Sequence, residues 1–148
     1  MLEQKLEQDL KTALLAKDEL RVTTLRGLKS TLLNVKISEG KRDSGLEDDA
    51  VLAVFAKEAK KRQESADMYL QGNDQSRADK ELAEKAIIEA YLPAQLSEEE
   101  LKTMIDEVLA GNTDKSAMGP TIAAVKAKAG SSADGGVIAK LVKEKLGL

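Results

Sequence analysis

The sequence predicts an all-α protein: an N-terminal bundle of long helices followed by a small C-terminal three-helix domain. Three observations carry this. No proline occurs before Pro93, so nothing interrupts a helix in the first part of the chain. Apolar residues recur at helical spacing, with Leu2, Leu6, Leu10 and Leu14 in steps of four and Leu25, Leu28, Leu32 and Val35 in steps of three and four. No stretch alternates with the β-branched and aromatic enrichment of a strand.

The first helix is predicted from about Leu2 to Ala16. Lys17-Asp18 marks a turn, and Asp18 can cap a second helix that runs to about Glu39 and stops at Gly40. The polar run from Lys41 to Gly45 reads as a loop. Ser44 and Glu47 have capping-box spacing, and Asp48 and Asp49 suit the positive end of a helix. The third helix is expected from about Leu46 to Gln71, with Leu52, Phe55, Ala59, Ala66 and Tyr69 inward and Gly72 ending it. The fourth spans about Gln75 to Leu92, and Pro93 breaks the pattern.

Ser97 and Glu100 form a second capping box, ahead of a fifth helix whose face is Leu101, Met104, Ile105, Val108 and Leu109. Gly111-Asn112 stops it. Two short helices follow, roughly Ala117–Ala129 and Gly135–Leu146, the sixth tolerating Pro120 in its first turn with Met118 packed at its entry, and the last capped by Asp134. The domains are therefore read as 1–93 and 94–148. A third helix of ~26 residues would be ~39 Å long. That is too long to be buried throughout in a chain of 148 residues. The bundle is then elongated, or another chain covers part of a stripe.

Composition excludes several chemistries. Cys, His and Trp are absent, and the aromatics are one Phe and two Tyr. A disulfide framework, a Cys/His zinc site, a Cys nucleophile and a Ser-His-Asp triad are out of reach. So is an aromatic platform for single-stranded nucleic acid. The net charge of −3 favours no polyanion overall. It conceals an asymmetry, because residues 112–148 hold six basic and three acidic side chains. The charged N-terminus lacks the apolar core of a signal peptide, which leads to the expectation of a cytoplasmic protein. No apolar run approaches the ~18 residues of a spanning helix, so no membrane partner is expected.

Paired carboxylates such as Asp48-Asp49 and Asp106-Glu107 sit at helix starts or on exposed faces, where capping and solvation account for them. No catalytic residue, metal ligand or cofactor is assigned. Two basic groups are candidate nucleic-acid contacts. Lys57, Lys60, Lys61 and Arg62 form the densest cluster, the three lysines sharing one helix face. Glu58 and Glu64 dilute it. In the tail, Lys140 and Lys143 share a face, whereas Lys126 and Lys128 lie ~200° apart around a helix. The run from Gly130 to Gly136 leads into a helix N-terminus that attracts anions. It is not a Walker loop, since no Gly-Lys-Ser/Thr follows and no strand precedes it. Asp134 as a plain N-cap, with flexible glycines beside it, is the simpler account and the preferred one.

The stretch from Tyr91 to Leu101, Tyr-Leu-Pro-Ala-Gln-Leu-Ser-Glu-Glu-Glu-Leu, resembles the junction of the GatB/YqeY family. Met118-Gly119, then Ala133-Asp134-Gly135 and Ile138 to Val142, are similar to that family's tail, and Leu25 to Ser30 to its second helix. The resemblance covers the whole chain at the size of the stand-alone, bacterial YqeY-like form. It implies two helical domains, the second like the tail of the B subunit of the glutamine-dependent tRNA amidotransferase, a carbon–nitrogen ligase in which the tail helps hold tRNA. The implied role is a tRNA- or RNA-associated accessory module that is not itself catalytic. Its implied partners are tRNA and amidotransferase or tRNA-synthetase components. The alternative is a protein-interaction adaptor with no RNA binding. The chain departs from the family's tail pattern at Pro120-Thr121 and at Gly130-Ser131-Ser132, where lysines are usual. Fewer lysines facing phosphate imply weaker binding and a flatter salt dependence.

Overall fold

The computed structural model describes all residues, 1–148. It contains seven α-helices and no strand: α1 (Leu2–Leu15), α2 (Glu19–Ser38), α3 (Asp48–Gln71), α4 (Gln75–Glu89), α5 (Glu98–Leu109), α6 (Met118–Ala129) and α7 (Gly135–Lys145). Single 3-10 turns at Lys115–Ala117 and Gly130–Ser132 precede and follow α6. Two compact units divide the chain, Met1–Leu92 and Pro93–Leu148, each with its own apolar core.

In the first unit the apolar stripes close on one another. Leu6, Leu10 and Ala13 of α1 meet Leu25, Leu28 and Leu32 of α2, and Val51, Phe55, Ala59 and Ile88 from α3 and α4 complete the core. The inward face of α3 is one residue out of phase with its predicted start: Val51 is fully buried, and Leu52 is half-buried. Tyr69 is half-buried too, with the Arg77 guanidinium 5.8 Å from its ring centroid.

The helix ends show which local signals win. Asp18 caps α2 by accepting from the Arg21 N–H at 3.2 Å. Asp74 does the same for α4 through Arg77 at 3.1 Å. The Ser44–Glu47 capping box does not form. Glu47 is the N-cap of α3, it makes no side-chain cap bond, and the helix starts at Asp48, two residues after Leu46. Burial decides this. Leu46 is drawn into the core at 8% exposure, and Gly45 takes φ +79° to deliver it there. The Glu3 carboxylate accepts from the Leu46 N–H at 3.5 Å, and a Cβ at position 45 would press on it at 3.1 Å in a backbone conformation that already favours glycine. Asp48 instead turns back to accept from the Leu2 N–H, at the start of α1. Helix α4 stops at Glu89, short of Leu92, because a residue before proline disfavours the helical conformation.

Tyr91 fastens this exit. Its hydroxyl donates to Asp9 of α1, and its ring packs edge-on against Phe55 with centroids 5.3 Å apart. The Lys5 ammonium lies 5.3 Å from the ring centroid. Burial, and then the hydrogen bond to Asp9 and its charge, raise the phenol well above its ordinary value of 10.0. The fold thus prefers the neutral phenol. The resulting stability is complete below the unfolded value near 10 and is lost as pH climbs toward the folded one. Tyr91→Phe is expected to cost about 1–2 kcal/mol at neutral pH and to remove this alkaline loss. Urea unfolding at a series of pH values checks it. Equal alkaline slopes in parent and variant would refute the assignment.

In the second unit, Leu101, Ile105 and Leu109 of α5 pack with Val125 and Ala129 of α6 and with Ile138, Leu141 and Val142 of α7. The capping box of α5 is complete: Ser97 Oγ accepts from the Glu100 N–H at 3.1 Å, and Glu100 Oε2 accepts from the Ser97 N–H at 2.9 Å. Ala110 at φ 49° and Gly111 at φ 83° turn the chain out of α5. Met118 is half-buried at the entry to α6 and packs on this core.

Candidate functional site

The eight basic side chains singled out in the sequence divide by partner. On α3, Arg62 is not a surface cation. Its guanidinium lies between Glu58 at 2.7 Å and Glu84 of α4 at 3.4 Å, with the Arg62 side chain 20% exposed. It also passes beside Gly27 of α2, where a Cβ would stand 3.9 Å from Nη2. Lys61 pairs with the same Glu58 at 3.2 Å. Lys57 is exposed on this helix with no carboxylate partner, and Lys60 is exposed but partnered. The cluster is therefore no continuous phosphate strip. Its inner half ties α3 to α4. The sequence spacing showed the shared face of the lysines but not the position of Glu84, which only the pairing of α3 with α4 brings in.

The tail lysines differ. Lys126, Lys128, Lys140 and Lys143 are exposed and have no carboxylate partner, whereas Lys145 pairs with Asp106 of α5 at 3.0 Å. Ile138, Leu141 and Val142 face the core, so Lys140 and Lys143 lie on the opposite side of α7. The structure brings Lys126 to α7 as well. Its aliphatic stem crosses Gly135, where a Cβ would stand 2.5 Å from Lys126 Cε and 2.9 Å from Nζ. A side chain at position 135 would push this flexible end of Lys126 aside. The crossing places an ammonium beside the start of α7, where Asp134 accepts from the Gly136 N–H at 2.7 Å. Lys128 emerges on the other flank of α6, away from Lys126.

The Gly130-Ser131-Ser132 segment is a fixed turn. The Leu96 N–H donates to the Ser132 carbonyl at 2.8 Å, and Gln95 Nε2 donates to the Ser131 carbonyl at 3.0 Å. Gly130, at φ +54°, makes the bend. The Pro-Ala-Gln-Leu junction and the Gly-Ser-Ser turn, far apart in sequence, thus build one structural element. Single-sequence reading had no signal for it.

The paired carboxylates have structural occupations. Glu100 completes a cap, Asp48 accepts from Leu2, and Asp106 holds Lys145. Asp114 accepts from the Ser116 N–H at 2.9 Å, and that bond holds its carboxyl below the usual range. A cleft of about 260 Å³ between α5 and α7 is lined by Ile105, Leu141 and the Asp106–Lys145 pair. A wider groove, between α1 and α2, has about 570 Å³ and an apolar floor. No helix is long and apolar enough to cross a membrane.

The YqeY-like family model matches residues 3–146 of the chain. The chain belongs to the YqeY-like family. Similar proteins include three yeast proteins, each named altered inheritance of mitochondria protein 41, mitochondrial. The one from Eremothecium gossypii is 38% identical over 106 residues, which is 70% of this chain and 57% of the relative. That from Vanderwaltozyma polyspora is 33% identical over 106 residues, 70% of this chain and 56% of the relative. That from Kluyveromyces lactis is 36% identical over 107 residues, again 70% and 56%. The YqeY-like chain thus matches little more than half the length of these relatives. Their names overturn two expectations. The matched relatives are mitochondrial proteins of yeasts, so the cytoplasmic location and the bacterial character expected from the sequence are withdrawn.

Proposed function

We propose that this YqeY-like chain is an RNA-associated accessory module that holds tRNA and performs no catalysis alone. One observation carries the reading. Lys126, Lys140 and Lys143 are exposed cations without carboxylate partners on α6 and α7, in a chain whose other clusters are largely internally paired. The resemblance of the tail motifs around Met118-Gly119 and Ala133-Asp134-Gly135 to the amidotransferase B-subunit tail suggests the RNA class. It also suggests the association with glutamine-dependent carbon–nitrogen ligation and with amidotransferase or tRNA-synthetase components. Lys57 and Lys128 are subsidiary phosphate ligands in this reading. Arg62 and Lys61 are left out of it, because Glu58 and Glu84 already neutralise them.

Titration of labelled tRNA at low and moderate salt tests it. Lys140→Ala with Lys143→Ala is expected to weaken binding uniformly across tRNA species. The salt slope should fall by roughly 0.7–0.9 for each phosphate that is no longer neutralised. Binding no tighter than that of an acidic helical control protein would overturn the proposal. A second reading, a protein-interaction adaptor, is favoured by the exposed Leu14, Leu15, Leu33 and Ile37 of the first unit. Pull-down with and without RNase separates the two, since a partner set unchanged by RNase supports the adaptor.

A further inference from the structure

The groove between α1 and α2 has a floor of Leu6, Leu10 and Leu32, with Leu33 standing in it at 40% exposure. Its two rims carry opposite charge. The α1 rim presents Glu3 and Glu7, and the α2 rim presents Arg26, Lys29 and Lys36. Ion pairs link the rims at two heights along the helices: Glu3 with Lys36 at 2.8 Å and Glu7 with Lys29 at 2.9 Å. Lys29 donates a hydrogen bond to Glu7 and holds its carboxyl below the usual range. Arg26 has no carboxylate partner.

We propose that this face is a self-association surface, on which a second copy of the chain packs about a two-fold axis running along the groove to form a four-helix bundle. The charge pattern selects the axis. A two-fold along the groove keeps every residue at its own height and exchanges left for right. The partner's α1 then lies antiparallel over α2. Glu3 of each protomer faces Lys36 of the other, and Glu7 faces Lys29, because the internal pairs already put those residues level. Each pair becomes a four-charge cluster of alternating sign. A two-fold across the groove would instead lay acidic α1 on acidic α1 and basic α2 on basic α2, which is repulsive. Leu33 of each protomer covers the apolar floor of its partner. Such an interface is isologous, as a closed dimer requires. Its helix arrangement is that of an ordinary antiparallel bundle.

Sedimentation velocity over a range of concentrations tests this. The parent chain is expected to sediment as a dimer. Leu33→Glu, at a solvent-facing position, is expected to weaken association by about tenfold or more. Lys29→Glu and Glu7→Lys change side chains that are 53% and 54% exposed, and each alone should also weaken it. An equimolar mixture of the two should recover a heterodimer, because Glu7 of one then faces Lys29 of the other. Far-UV circular dichroism establishes that each variant is folded. If a charge variant fails to fold, the parent and Leu33→Glu decide alone. A parent chain that is monomeric at all concentrations overturns the proposal. So does a dimer that Leu33→Glu leaves unchanged, or a mixture of folded charge variants no tighter than its components. A monomer whose groove accepts an unrelated amphipathic helix would give the groove to a different occupant and overturn it as well.

Discussion

Phe55→Ala is expected to lower the unfolding free energy of the first unit by about 3–5 kcal/mol. Phe55 is completely buried and is the chain's one phenylalanine. It lies one turn after Val51 on the buried face of α3, and its ring packs edge-on with that of Tyr91. Removing it deletes more apolar surface than any other single truncation in that core. The neighbours cannot collapse into the space. Ala59, one turn away, is already small, and Tyr91 is held by its hydroxyl bond to Asp9. The cost therefore includes the cavity as well as the lost transfer energy. Both tyrosines, Tyr69 and Tyr91, belong to the first unit, so intrinsic tyrosine fluorescence in a urea titration reports that unit alone. A loss below about 1.5 kcal/mol would mean that the site repacks.

The sequence yields helices readily here because its signals are local. Proline is missing before Pro93, apolar spacing is regular, and caps at Asp18, Ser97 and Asp134 are written in adjacent residues. Those caps form with the bonds their residue types imply. Where a local signal competes with burial, burial wins. Ser44 and Glu47 have capping spacing, but Leu46 between them is worth more inside the core than a box is worth at the surface. The failure at Leu92 has the same form: helical propensity continues, but the following proline does not allow it.

The candidate site is less legible, because charge partners are set by tertiary structure. Sequence spacing puts Lys57, Lys60 and Lys61 on one helix face. It cannot show that Glu84, twenty-two residues beyond Arg62, arrives beside it. Nor can it show that Lys126 crosses Gly135, since that depends on the packing of α6 against α7. The Gly-Ser-Ser run reads as a flexible lead because its partners, Gln95 and Leu96, lie more than thirty residues earlier. Composition contributes by exclusion. A chain without His or Cys has no imidazole or thiol chemistry of its own.

Arg62→Met should destabilise the first unit by about 3–5 kcal/mol at neutral pH, although it removes a charge and keeps an unbranched side chain of similar reach. The reason is what it leaves behind. The side chains of Glu58 and Glu84 are 9% and 12% exposed, and Arg62 bridges them. Without the guanidinium, Glu84 has no cation within ion-pair distance, and Glu58 keeps only Lys61, whose own side chain is 56% exposed. Two nearly buried carboxylates are then left with one exposed cation between them. The triple variant with Glu58→Gln and Glu84→Gln should recover most of the loss, because a buried network replaced as a whole costs far less than one broken at a single member. Lys61→Ala, by contrast, should cost under about 1 kcal/mol, as expected of an exposed partner. Urea unfolding of the parent and these variants measures all of this, and a triple variant no more stable than Arg62→Met would exclude the stranded carboxylates as the cause of the loss. The same variant also bears on the RNA reading. If Arg62 is a structural cation, the folded fraction of Arg62→Met should bind tRNA as tightly and with the same salt slope as the parent. A reduced slope would place Arg62 on the phosphate backbone and take it out of the carboxylate cage.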